Sequence, residues 1–322
     1  METITLKNTD LRVSRACFGT MTFGGQADQA ASTAMIDFCL ESGINFIDTA
    51  NVYNKGASEV FLGKALKGRR DKVVLASKVR GAMGTGPDES GLSKKAIFRA
   101  IEESLKRLGT DHLDIYYLHQ PDYNVPVGES LEAMDNLRRQ GKIRHVGTSN
   151  YSSWQVAQMF CNSERRSSQP PRISQPMYNL LARGIEQEYL PMCKEFGVST
   201  VVYNPLAGGL LTGKQNRDAA LEGSRFDQNQ MYLDRYWHPA YFDAVDELRK
   251  ISTEAGRSMV SLSLNWLLHH SQADCIILGA SRLEQLQNNV AEMAQGPLDA
   301  ATLAACDRVW QNLRGITPKY NR

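Results

Sequence analysis

At 322 residues the chain has room for one large α/β domain or two small ones. Its hydrophobic share of 42% suffices for a sizeable core, and a formal net charge of +2 points to neither nucleic acid nor an anionic membrane surface. No apolar run approaches the ~20 residues that span a bilayer, and the opening Met-Glu-Thr-Ile-Thr-Leu-Lys has no basic segment ahead of an apolar core, so neither a membrane span nor a signal peptide is expected.

In chain order, two short alternating stretches flank the turn Lys7-Asn8-Thr9-Asp10, which predicts a β-hairpin over 4–13. Strand-like segments follow at 16–19, 46–49, 73–78, 113–119, 145–149, 173–175, 200–203 and 275–279. Helical patterns lie between them at 30–41, 58–66, 94–108, 131–139, 154–160, 186–196 and 241–254. Another at 261–269 precedes the last strand, and 282–292 and 300–312 follow it. Ser42-Gly43, Gly109, Gly141 and Gly197 read as helix stops, glycine taking the left-handed position, and Ser93 reads as an N-cap. Eight β/α units in a chain of this length predict an α/β fold of the (β/α)8 TIM-barrel type, with an N-terminal β-hairpin and extra C-terminal helices, as one domain over 1–322. A doubly wound sheet is the alternative. The longest irregular regions, 81–93 and 215–239, read as binding loops or lids. The second carries Arg217, Arg225, Phe226, Tyr232, Arg235, Tyr236 and Trp237.

Four polar residues fall where a barrel keeps its chemistry. Asp48, Lys78 and His119 follow apolar strand segments, and Tyr53 lies just beyond one. Reduction of a carbonyl requires a hydride at carbon and a proton at oxygen, and Tyr53 is the candidate proton donor. Moving a phenol from its usual pKa of about 10 to near 7 requires about 4 kcal/mol of preferential stabilisation of the tyrosinate. A lysine ammonium in a dry pocket supplies attraction of that kind, and Asp48 would keep Lys78 charged and in place. His119, neutral, would donate a hydrogen bond to the substrate oxygen. Each residue alone is better explained as a cap, a surface lysine or a satisfied core group. Together, at the ends of successive strands, they read as a site.

No metal is called for: His269 and His270 are adjacent instead of one helical turn apart. Six scattered cysteines without paired spacing read as reduced thiols in a cytoplasmic protein. No Gly-x-Gly-x-x-Gly marks a hydride-donor site. The run Gly208 to Lys214 matches a phosphate loop as far as its lysine, but Gln215 stands where a magnesium-binding hydroxyl belongs, which argues against ATP hydrolysis. Its glycines can still wrap a pyrophosphate. Ser149, Asn150 and Gln175 offer amide and hydroxyl groups for a carboxamide, and Tyr203 a flat face for a nicotinamide ring. Gly279-Ala-Ser281-Arg282 leads into a helix, an anion site to which Arg282 adds the charge a 2′-phosphate needs.

The motifs Phe46-Ile-Asp-Thr-Ala-Asn-Val-Tyr53, Ser77-Lys78, Tyr117-Leu-His119, Gly147-Thr-Ser-Asn150 and Gly279-Ala-Ser-Arg-Leu-Glu-Gln-Leu286 resemble those of the aldo-keto reductase superfamily, over essentially the whole chain. Gln175-Pro-Met-Tyr-Asn179, the stretch Tyr203 to Lys214, Asp234-Arg-Tyr-Trp237 and the tail Pro318 to Arg322 resemble its aflatoxin-aldehyde and succinic-semialdehyde reductase branch. The resemblance implies an NADPH-dependent aldehyde or ketone reductase with Tyr53 as acid and Asp48, Lys78 and His119 around it. It implies Leu206, Gly208, Leu210 and Lys214 along the pyrophosphate, and Gly279, Ser281, Arg282, Gln285, Asn288 and Asn289 at the adenosine-phosphate end. Arg235 and Arg322 match arginines that meet an acidic substrate such as succinic semialdehyde, while Met21 and Phe23 make the near wall apolar where the branch often carries basic residues. A homodimer is expected from the branch. An NADPH-binding regulatory subunit resembling a potassium-channel β-subunit, with slow turnover, is the alternative reading.

Overall fold

The computed structural model describes residues 1–316. A hairpin of β1 (Thr3–Thr5) and β2 (Arg12–Ser14) pairs Ile4 with Val13 in antiparallel register. Eight strands follow: β3 (Ala16–Gly19), β4 (Phe46–Asp48), β5 (Val74–Val79), β6 (Leu113–Leu118), β7 (Ile143–Ser149), β8 (Ile173–Gln175), β9 (Ser199–Val202) and β10 (Cys275–Gly279). They form a closed parallel barrel, β10 returning to β3 through Ile276 opposite Ala16. The barrel expected from the sequence is therefore the fold, and the doubly wound alternative falls. Among the described residues no helix is long and apolar enough to cross a membrane.

Alternation along the strands decides which side chains face inward. One cluster of buried residues joins Cys17, Phe46, Val74, Ala76, Ile115, Tyr117, Ile173, Val201, Cys275 and Ile277 with the hairpin residues Leu6, Leu11 and Val13. This is the barrel interior, with the hairpin closing its amino-terminal end. The intervening residues Phe18, Ile47, Leu75, Tyr116, Leu118 and Ile276 join the outer core under the helices. Because the period is two, the next inward position after Phe46 is Asp48, after Ala76 it is Lys78, and after Ile173 it is Gln175. His119 and Tyr203 continue the inward rows of β6 and β9 one residue past each strand. Inward-pointing polar groups thus collect at the carboxyl end of the barrel.

Helix ends follow the local signals. Ser93 accepts from Ala96 N ahead of Lys94–Leu108, whose other end is Gly109 at φ +65°. Asp28, Ser258 and Asp299 cap three other helices, and Ser152 forms a capping box with Gln155. Several expected boundaries move. The helix expected at 131–139 begins at Val127, and that expected at 154–160 runs from Ser153 to Arg165. The segment 186–196 splits into a 3-10 turn at Gly184–Glu186 and a helix at Tyr189–Glu195. The region 215–239 is not wholly irregular, since Gln230–Tyr236 is a helix burying Tyr232 and Tyr236 one turn apart. His119 stands just beyond β6 instead of ending it.

Candidate active site

Lys78 is fully buried and Asp48 is 2% exposed. The lysine ammonium is paired with Asp48 Oδ1, and donates to Thr49 O at 2.8 Å and to the Tyr53 hydroxyl at 3.1 Å. Its three protons therefore have three oxygen partners. It also lies 4.8 Å from the centroid of the Tyr53 ring. The other carboxylate oxygen of Asp48 accepts from Gln175 Nε2 at 2.9 Å. His119 meets the Tyr53 ring edge-on, centroids 6.0 Å apart.

The electrostatics depart in one respect from expectation. Burial pushes the Asp48 carboxyl up against the opposing pull of Lys78. Burial pushes the Lys78 ammonium down, but Asp48 and Tyr53 outweigh it and the net direction is up. For Tyr53 burial is the largest cause and raises the phenol, while Lys78 lowers it and Asp48 raises it again. From the sequence Lys78 is expected to draw the phenol down; the net direction is upward, because the hydroxyl is desolvated and Asp48 partly offsets the lysine charge. Burial first, then the charges of Lys78 and Arg80, holds His119 down at about 3, so its imidazole is neutral at ordinary pH.

An elongated cavity of about 1040 Å³ opens above these groups. Asp48, Tyr53 and His119 lie in its floor, with Lys78 behind them. Of the residues expected around a cofactor, Ser149, Asn150, Gln175, Tyr203, Leu206, Gly208, Lys214, Gly279, Ser281, Arg282, Gln285, Asn288 and Asn289 all line it. Leu210 does not; its side chain is 1% exposed and packed in the outer core, because the 3-10 segment Ala207–Thr212 turns it inward. Met21 and Arg235 line the cavity. Phe23, expected on its near wall, is fully buried with its ring 5.9 Å from that of Phe18. Arg322 lies outside the described residues.

The amides are more occupied than the sequence suggested. Gln175 holds Asp48, Asn150 Nδ2 donates to His119 O at 2.8 Å, and Asn150 Oδ1 accepts from the Tyr203 hydroxyl at 2.7 Å. Gln26, Asn54, Arg225 and Tyr232 also line the cavity. Arg225 and Tyr232 stood out in sequence only as part of a basic, aromatic loop, and Asn54 and Gln26 were not singled out. Arg225 Nη1 donates to the Tyr232 hydroxyl at 2.7 Å, and both Arg225 and Arg235 lie over the Tyr232 ring, at 5.6 and 5.7 Å.

Parts of the cavity lining beyond these residues have the chemistry of a nucleotide site. The side-chain Nδ2 atoms of Asn289 and Asn204 are buried without a partner, an arrangement that costs about 1–3 kcal/mol per donor unless a ligand or water accepts from it. Gly208 and Gly209 hold φ of +69° and +106°, and no atom stands within 4 Å of where a Gly209 Cβ would sit. Arg282 occupies the N-cap of Leu283–Met293, where free N–H groups favour an anion. These features fit an extended, phosphate-bearing dinucleotide.

A closed parallel barrel whose polar groups gather at the carboxyl ends of its strands, beneath a long cleft, belongs to the class of TIM-barrel enzymes. The family model described as "Aldo/keto reductase family" matches residues 15–311. Over 322 aligned residues the chain is 37% identical to "Aflatoxin B1 aldehyde reductase member 2" of Rattus norvegicus, covering 94% of this chain and 86% of that protein. It is 36% identical to the human "Aldo-keto reductase family 7 member A3", covering 94% and 96%. It is 34% identical over 305 residues to the "Probable voltage-gated potassium channel subunit beta" of Arabidopsis thaliana, covering 91% of each. The chain belongs to the aldo/keto reductase family, an oxidoreductase family whose members use a nicotinamide dinucleotide.

The low pKa of His119 has a consequence for stability. In the unfolded chain the ordinary value is 6.5, so as the pH falls the unfolded chain takes up this proton first. The stability drawn from a neutral His119 is complete above 6.5 and is lost progressively towards about 3. Replacing His119 by Gln is expected to shrink the fall in urea midpoint between about pH 7 and about pH 5. An unchanged fall would show that the folded protein protonates His119 freely.

Proposed function

We propose that this chain reduces aldehydes and ketones to alcohols with NADPH, and that Tyr53 gives the proton to the carbonyl oxygen. The observation that carries the reading is the three-way contact of Lys78 Nζ with Asp48, Thr49 O and the Tyr53 hydroxyl on the cavity floor. The bound dinucleotide supplies the hydride. Tyr53 keeps its proton through neutral pH because burial holds its pKa up. The substrate oxygen becomes far more basic as the carbonyl carbon is reduced, and takes that proton. Lys78, already hydrogen-bonded to the phenol, stabilises the tyrosinate left behind, and Asp48 keeps Lys78 charged. Neutral His119 orients the carbonyl as a hydrogen-bond donor.

Ser149, Asn150 and Gln175 are assigned to the carboxamide, and Tyr203 to the ring face. Leu206, Gly208 and Lys214 are assigned to the pyrophosphate, and Gly279, Ser281, Arg282, Gln285, Asn288 and Asn289 to the adenosine-phosphate end. The unpartnered Asn289 amide in the cleft supports this end of the assignment. Arg235, on the cavity wall, is assigned to a substrate carboxylate such as that of succinic semialdehyde, together with Arg322. Residues 1–322 are taken as one barrel domain, working in the cytoplasm as a homodimer. The unpaired state of all six cysteines accords with that compartment. The similarity to the Arabidopsis protein carries a second reading, an NADPH-binding regulatory subunit with slow turnover.

Oxidation of NADPH followed at ~340 nm tests the proposal. Tyr53→Phe is expected to abolish reduction while NADPH binding, read by fluorescence titration, survives; retained turnover would remove Tyr53 from the chemistry. Turnover that is slow with every aldehyde in the parent enzyme would favour the regulatory reading. Arg282→Ala is expected to weaken NADPH roughly tenfold or more and NADH little, whereas equal losses would exclude contact with a 2′-phosphate. Arg235→Ala is expected to raise KM for succinic semialdehyde more than for an uncharged aldehyde of similar size. Equal effects on both would leave Arg235 to the lid.

A further inference from the structure

The turn that carries Tyr53 adopts a backbone that side chains rarely accept. Asn54 and Lys55 both lie in the left-handed region, at φ +47° and +54°, ahead of Gly56 at +92°. Successive non-glycine residues hold such a conformation only where their surroundings over-determine it. The determining contacts come from one amide. Asn54 Nδ2 donates to the main-chain carbonyls of Phe23, at 2.7 Å, and Met21, at 3.0 Å. The gripped loop lies close: a Cβ on Gly25 would fall 2.9 Å from Asn54 Oδ1, and one on Gly24, itself at φ +72°, 2.6 Å from the Ala57 Cβ.

The same loop is held from its other side. Gln26 Nε2 donates to Gly223 O at 3.1 Å, and Arg225 Nη1 approaches Met21 Sδ at 3.8 Å. Both partners belong to the long loop before the Gln230–Tyr236 helix. Met21 and Tyr53 line the same cavity, and Met21 is 37% exposed. A substrate at the Tyr53 hydroxyl shares that cavity with the Met21 wall. The distance from the phenol to that wall is set through main-chain carbonyls, so it does not depend on the Met21 side chain itself.

We propose that Asn54 is a positioning residue that fixes the Tyr53 turn against the Met21 wall and thereby sets which aldehydes reach the phenol. This rests on the reading of Tyr53 as proton donor. Asn54→Gly separates the two things Asn54 does: it keeps the left-handed backbone without strain and removes both donors. Asn54→Asp keeps the shape and also removes them, turning oxygens toward the two carbonyls.

The test compares kcat/KM for a small unbranched aldehyde and a bulky aromatic aldehyde, with NADPH affinity and the unfolding midpoint measured on the same samples. Asn54→Gly is expected to change the ratio between the two substrates by roughly tenfold, since misplacement of about 1 Å at a reacting group costs up to about a hundredfold. NADPH affinity should stay near parental, and the unfolding midpoint should fall only modestly, since two partly exposed hydrogen bonds are lost. In a double-mutant cycle with Met21→Ala the two effects on the ratio should be strongly non-additive, because both act through one wall. A parental ratio in Asn54→Gly, or simple additivity with Met21→Ala, overturns the proposal. If Asn54→Gly does not fold, Asn54→Asp carries the same comparison with the same expected result. Tyr53→Phe in the same assay keeps the two readings apart. An active Tyr53→Phe overturns the proton-donor reading and this proposal with it; an inactive one beside a parental Asn54→Gly ratio overturns this proposal alone.

Discussion

The structure turns on a buried ion pair. Lys78 comes from β5 and Asp48 from β4, and neither reaches water. Two charges moved from water into a protein interior each lose several kcal/mol of hydration, and only close pairing with further hydrogen bonds recovers it. Here the recovery is complete in number: the ammonium has Asp48, Thr49 O and Tyr53, and the second carboxylate oxygen has Gln175 from β8. Deleting either partner would strand the other charge, a loss of about 3–5 kcal/mol. The pair is weak as a source of stability compared with apolar packing of equal volume. Its value is that it fixes an ammonium within hydrogen-bond reach of a phenol at the floor of a cleft.

That placement sets the proton inventory of the site. Because burial of the phenol outweighs the pull of Lys78, Tyr53 stays protonated, and because His119 is desolvated beside two cations, it stays neutral. A loaded phenol and a neutral imidazole are both hydrogen-bond donors, and both face the cavity where a carbonyl oxygen can be met. The cleft beyond them includes two amide groups whose hydrogen bonds are unfinished, those of Asn204 and Asn289.

Over the cleft lies the segment 215–239, tied down by aromatic and cationic contacts. Arg225 and Arg235 lie over Tyr232, whose ring also meets Phe226 edge-on, and Phe226 packs on Trp237. Arginine over an aromatic face contributes about 0.5–2 kcal/mol depending on exposure. The segment is further tied by Arg217 to Asp243 and Asp246 of the helix Pro239–Glu254. Through Gln26 and Met21 it touches the same loop that Asn54 grips, so the cover, the near wall and the Tyr53 turn form one connected unit.

Much of this was legible in the residues alone, for a local reason. Short apolar runs that read as buried strands, with the rule that barrels keep their chemistry at the strand ends, placed Asp48, Lys78 and His119 together. The caps at Ser93 and Gly109 were legible because a cap is a contact within one turn of chain. Where local pattern failed, the cause was contact at long range. Phe23 looked like a wall residue because it falls where the resembling branch often carries basic residues, yet packing on Phe18 turns it into the core. Leu210 looked like part of a phosphate loop, and the turn at Gly208 and Gly209 buries it. The Tyr53 phenol was expected to fall in pKa and instead rises, since burial of its hydroxyl outweighs the pull of Lys78, which Asp48 partly offsets. Gln175 holds Asp48 across 127 residues of sequence, and Arg225 reaches Met21 across 204. The order of residues along the chain determined the fold, its strand ends and the chemical types gathered there, because these depend on periodicity and short-range contacts. Only closure of the barrel decided which of those groups satisfy one another and which are left facing the cleft, because hydrogen bonds and desolvation depend on neighbours that sequence distance does not reveal.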